Sequence, residues 1–123
     1  MSLERNKAAI RKVNDALNRR DLSGLGEFMA EDYVDHTNQM QGLENVKKFY
    51  TQVFKDFSGW HRTIEDMIAE GDHVWVRFRN TGTSPSGKKI DMTVVSMLRF
   101  ANGKVVEGRT VPRVTGELYQ KLL

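Results

Sequence analysis

Three kinds of side chain in this sequence could do chemistry at neutral pH: three histidines, a set of arginines and scattered carboxylates. His36 stands out because it closes the run EDYVDH, just before the loop NQMQG and the amphipathic segment LENVKKFYTQVF. An imidazole titrates near neutrality, so it suits a general base that removes a proton beside a carbonyl. The plainer role is a hydrogen bond to a neighbouring loop. In an extended segment adjacent side chains take opposite faces, so Asp35 is expected to point away from whatever His36 faces. Near the other end, Val105, Glu107, Arg109, Val111 and Arg113 fall on one face of a regular strand. Two guanidiniums on one wall would hold a carboxylate, phosphate or enolate oxygen through bidentate hydrogen bonds. Two other outcomes are open. Glu107 or Asp91 could neutralise an arginine internally. Pro112, which cannot donate a ladder bond, could mark a bulge that turns Arg113 to solvent.

Other chemistries find little support. With no cysteine there is no disulfide, thiolate or cysteine-ligated zinc. His36, His61 and His73 lie on different segments without ligand-type spacing, so no metal is expected. Ser58, Ser84, Ser86 and Ser96 sit in no nucleophile elbow, and nothing calls for a cofactor. The net charge is +3, from 19 basic and 16 acidic residues. Those charges alternate rather than cluster, and no stacking aromatics interleave them, so nucleic acid is not an expected partner. No apolar run reaches transmembrane length, and the first twenty residues are charged throughout without an apolar core. The expectation is a cytoplasmic protein without a membrane partner.

The elements that must position these groups follow from periodicity. Leu3, Ile10, Val13 and Leu17 recur at helical spacing and predict a helix from about Leu3 to Arg20. Asp21 is placed to cap a short second helix carrying Leu22, Leu25, Phe28 and Met29, weakened by Gly24 and Gly26. Residues 43–54 make a third helix with Val46, Phe49, Tyr50, Val53 and Phe54 on its inner side. From Trp60 the period changes to two, predicting strands over 61–70, 74–83, 90–100 and 105–114. Helices followed by an antiparallel meander give an α+β class, with the helices on one face of the sheet. Length and the lack of linkers or repeats predict one domain over residues 1–123. Tyr33, Met40, Phe54, Trp60 and Met97 are among the candidates for an apolar lining, methionine being useful where shape must adapt. Along HVWVRFR, Val74, Val76 and Phe78 face inward; His73, Trp75, Arg77 and Arg79 face outward, where Trp75 could serve a dimer interface.

The segments DYVDHTNQMQGLENVKKFY, IAEGDHVWVRFRNTGT and RFANGKVVEGR together resemble the SnoaL-like polyketide cyclases of the nuclear-transport-factor-two-like superfamily. The resemblance spans nearly the whole chain. It implies a cone: a strongly curved, mostly antiparallel sheet wrapped around an apolar pocket closed by the N-terminal helices. It also implies homodimers through the outer face of the sheet, and places His36 at the pocket. The cyclases carry an aromatic residue and, four positions later, an aspartate acid-base on the last strand. Arg109 falls at the aromatic position and Arg113 at the acid, and an arginine cannot abstract a proton. The first functional expectation is therefore a cofactor-free cyclase or isomerase that moves a proton on a hydrophobic carbonyl compound. His36 would be its base, with Arg109 or Arg113 holding the oxyanion. The alternatives are a non-catalytic binder of an anionic aromatic or lipid-like metabolite, and a dimerising scaffold with a filled core. A hydrolase of the limonene-epoxide type, drawing on Asp91 and Arg99, fits less well.

Overall fold

The computed structural model describes residues 2–123. Helix α1 (Leu3–Asn18) starts at Ser2, whose Oγ accepts from the Arg5 amide at 3.3 Å. Its buried stripe is Asn6, Ala9, Ile10, Asn14 and Leu17, so helical spacing brings two asparagines inward beside the apolar residues. The helix stops two residues short of Arg20, which takes a left-handed backbone (φ 63°). Arg20 then donates from Nη2 to the Trp60 carbonyl at 2.6 Å.

The expected second helix does not form. Asp21 Oδ1 instead accepts from the Ser23 amide and hydroxyl, a local turn that competes with helix capping. Only a single 3-10 turn, Leu25–Glu27, follows, and Gly24 and Gly26 give it little helical support. Met29 then opens strand β1 (Met29–Asp35). A two-residue strand β2 (Met40–Gln41) precedes helix α2 (Leu43–Asp56). Gly42, at φ 89°, makes the sharp entry into that helix.

Four long strands follow: β3 (Ser58–Glu70), β4 (His73–Thr83), β5 (Lys89–Ala101) and β6 (Lys104–Val111). The sheet order is β2-β1-β6-β5-β4-β3, antiparallel except where β1 lies parallel to β6. The chain is thus α+β with a mostly antiparallel sheet. Val74, Val76 and Phe78 are buried at 0–2% exposure, and Trp75 stands outward at 52%, so alternation along β4 is as its sequence predicts. Strand β6 breaks the rule. Arg99 pairs with Glu107 but Phe100 pairs with Val105, leaving Val106 as a bulge. Val105 is therefore buried, whereas Glu107, Arg109 and Val111 stand on the opposite, outer side. A short helix α3 (Glu117–Leu122) ends the chain.

Candidate functional site

Between the helices and the inner face of the sheet lies a two-lobed cavity. The first lobe, about 110 Å³, is walled by aromatic and aliphatic residues including Phe49, Tyr50, Phe57, Trp60 and Ile90. The second, about 80 Å³, reaches Tyr33 and the inner side of α1. Asp35, Met40, Tyr50, Arg62, Ser96 and Thr110 border both lobes, forming a mainly polar belt between them.

Asp35 is buried at the end of β1. Its Oδ1 accepts from the amides of Thr37 (3.0 Å) and Asn38 (2.9 Å), and its Oδ2 accepts from Asn38 Nδ2 at 2.9 Å. A carboxylate offers about four acceptor positions, so three bonds leave one, on Oδ2. Asn38 cannot turn its amide round, because its Oδ1 accepts from the Val114 amide at 2.8 Å. Beside Asp35, the Ser96 and Thr110 hydroxyls are bonded to each other at 2.9 Å. That bond uses one hydroxyl proton and leaves the other free to donate.

Arg62 enters from β3, an edge strand. Its amide and carbonyl face away from β4 and are satisfied by α1: the amide donates to Asn18 Oδ1, and the carbonyl accepts from Asn14 and Asn18 Nδ2. This explains Asn14 and Asn18 on α1: they complete an edge that would otherwise bury open backbone groups. The guanidinium donates from Nε to Asn14 Oδ1 at 2.6 Å and from Nη1 to Tyr50 Oη at 3.1 Å. It lies 3.8 Å from the Phe78 ring centroid. Burial pulls Arg62 below its ordinary pKa, partly offset by Tyr50. Burial, then the charge of Asp35, raises Tyr33, so its phenol stays neutral.

The last ten residues cover the first lobe. Val114, Tyr119 and Leu122 line it, and Tyr119 Oη donates to Asp56 Oδ2 while its ring packs edge-on against Phe57.

Of the residues singled out by sequence, Tyr33, Met40 and Trp60 do border the cavity. Phe54 lies behind it, packed on Trp60 and under the Arg20 guanidinium. Four others do not line it. His36 is on the outer side, its Nε2 at 2.9 Å from Glu107 Oε2. Alternation decides this: with Tyr33 and Asp35 inward, His36 must be outward. Met97 and Arg109 are cross-strand neighbours on the outer face. Arg113 lies beyond the end of β6, exposed, reaching Thr115 Oγ1 and Gln39 Oε1. Glu107 is held down to about 2, first by its bond to Arg99 (2.6 Å) and then by His36. Asp91 pairs with Arg79, again outside. The acid and arginine of the epoxide-hydrolase reading are thus both engaged on the outer face. Of the charged groups that do border the cavity, Asp35 was expected to point away from the pocket and Arg62 is not among the residues singled out. Alternation forward from Tyr33 could have found Asp35; nothing in the sequence alone marks Arg62. Among the described residues no cluster of three or more His, Asp or Glu side chains could hold a metal, and no helix is long and apolar enough to cross a membrane.

The SnoaL-like domain profile matches residues 10–108, four fifths of the chain. The chain belongs to the SnoaL-like domain family. AclR of Streptomyces galilaeus, described as a proposed hydroxylase, is 28% identical over 89% of this chain and 79% of its own, with a TM-score of 0.78. IdmH of Streptomyces antibioticus, a proposed polyketide cyclase, is 26% identical over 86% of this chain and 90% of its own, at a TM-score of 0.75. TsrD of Streptomyces laurentii superimposes at a TM-score of 0.83 over 89% of each chain; at 14% identity it speaks for the fold alone. No curated protein matches in sequence. The SnoaL-like chain thus has the cone architecture of the nuclear-transport-factor-two-like folds.

Proposed function

We propose that this SnoaL-like chain is a cofactor-free cyclase or isomerase that moves a proton on a small hydrophobic carbonyl compound, with Asp35, in place of His36, as the base. The observation that carries the reading is a buried carboxylate with one unused acceptor position in the wall of an otherwise largely apolar cavity. Asp35 would take the proton beside the carbonyl and return it at a second carbon or oxygen. The spare proton of the Ser96–Thr110 pair would meet the developing enolate oxygen. An apolar cavity of about 150 Å³ accommodates benzene, so lobes of about 110 and 80 Å³ suit one- or two-ring substrates. The test is α-proton exchange of cyclohexanone and 2-tetralone in D₂O, followed by NMR. Exchange above background that Asp35→Asn removes and His36→Ala keeps would support it. Exchange that depends on His36 would end it.

A second reading, a non-catalytic binder of an anionic metabolite, is favoured by the guanidinium of Arg62 in the same cavity. For the partner, we propose a second copy of the chain across the outer face. Ile68 and Trp75 stand there at 68% and 52% exposure, in register with Met97 and Arg109, and Val111 adds another 52%. Trp75→Glu should shift a dimer to monomer in light scattering; a monomeric parent protein would refute the pairing.

A further inference from the structure

Arg62 is the charged group of the cavity that proton transfer by Asp35 does not use. A guanidinium carries five N–H donors. One goes to Asn14 and one to Tyr50, so three remain, on Nη1 and Nη2, in a side chain that borders both lobes. Both protein partners are neutral: an asparagine amide and a phenol. The cation–π contact with Phe78 supplies attraction but no counter-charge. Asp35 shares the cavity wall, yet its bonds go to Asn38 and to the amides of Thr37 and Asn38. Buried cations are ordinarily paired, because removing one from water without a counter-charge is costly. Here the side chain is also held rigid: Asn14 and Asn18 fix its backbone, and Asn14 fixes Nε. A pre-oriented cation with free donors needs no reorganisation to receive an anion.

We infer that the ligand of this cavity is a carboxylic acid of one or two rings. Its carboxylate sits on the free edge of Arg62, and its ring lies against Phe49, Tyr50, Phe57 and Trp60. A transient enolate would offset the charge of Arg62 only during reaction, whereas a carboxylate offsets it throughout the bound state. The inference rests on the cavity being the working site, as proposed above, but not on any turnover there.

The experiment is calorimetric titration of the full chain with benzoate and with benzamide, its neutral counterpart of the same size. Benzoate should bind about 10- to 100-fold more tightly, the range of a charge-assisted hydrogen bond. Arg62→Gln should erase that preference, and Arg62→Lys should keep part of it. Equal affinities in the parent protein, no binding of either at millimolar concentration, or a preference undiminished in folded Arg62→Gln would each overturn the inference. The benzoate–benzamide comparison needs no variant, so it stands even where Arg62→Gln fails to fold. Asp35→Asn separates the two proposals. It should lose proton exchange while still preferring benzoate, so loss of one property does not entail loss of the other.

Discussion

Replacing Asp35 by Asn changes one atom type, and the consequences can be followed bond by bond. The new amide oxygen can still accept from the Thr37 and Asn38 amides, replacing Oδ1. The NH₂ group then occupies the place of Oδ2 and meets Asn38 Nδ2, donor against donor. Asn38 cannot relieve this by flipping, since its Oδ1 is committed to the Val114 amide. One buried hydrogen bond is lost and a donor is left without an acceptor, a cost of about 1–3 kcal/mol. For a chain of 123 residues, 1 kcal/mol corresponds to about 4 °C in Tm, so a fall of about 4–12 °C is expected in calorimetry. The chemical loss is separate: removing a general base typically lowers the rate by about 10²- to 10⁴-fold. Proton exchange measured well below the variant's Tm isolates it. An Asp35→Asn protein as stable as its parent would show that the turn 35–38 is not held as described. A variant that still exchanges protons at the parent rate would remove Asp35 from the mechanism.

Other consequences are as specific. A methyl group on Gly108 would come 2.5 Å from Tyr33 Oη and 2.8 Å from Leu98 Cδ2, so Gly108→Ala should cost about 1–3 kcal/mol by overpacking. Adding Tyr33→Phe should recover part of that loss in a denaturant double-mutant cycle, and strict additivity would contradict the contact. Glu107 contributes acid-dependent stability. Its folded pKa, about 2, lies below the ordinary 4.5, so its contribution is full above pH 4.5 and fades as pH falls toward 2. Glu107→Gln should flatten that part of the stability–pH curve, and an unchanged slope would refute the role given to Arg99 and His36. Removing residues 116–123 should open the first lobe and weaken ligand binding while leaving the sheet folded, as judged by far-UV circular dichroism. Undiminished affinity would show that Tyr119 and Leu122 do not close the site.

Where hydrophobic period was strong, the fold could be read directly. The helix of residues 43–54 and the inward set Val74, Val76 and Phe78 follow from spacing. Strand β1 was missed because MAEDYVD is short and acidic, with Met29, Tyr33 and Asp35 as its buried residues. Its place is set by parallel pairing with β6, some seventy residues away, a long-range contact that local propensity does not encode. The helix expected over Leu22–Met29 failed for the reverse reason: helical spacing was present, but Asp21–Ser23 turn bonding and two glycines outweighed it.

On β1 the cavity-facing side chain was misplaced by a single parity. Tyr33 and His36 were both expected at the pocket, yet residues three apart on a strand cannot face the same side; Tyr33 goes in, and Asp35 goes with it. On β6 the bulge at Val106 makes Gly108 and Thr110 the inward residues, and the strand ends before Arg113. No acid of β6 therefore borders the cavity, although the resemblance to the cyclases put their acid-base on that strand. Asp35 is in register with Gly108 across the β1–β6 pair, about 4.8 Å away in the pairing direction. The cavity thus keeps a carboxylate one strand over from where the resemblance sought it. The charge change on the last strand, two arginines where an aromatic and an acid were expected, falls on residues that touch the outer face and solvent. The charged groups that border the cavity are Asp35 and Arg62, and neither lies on β6.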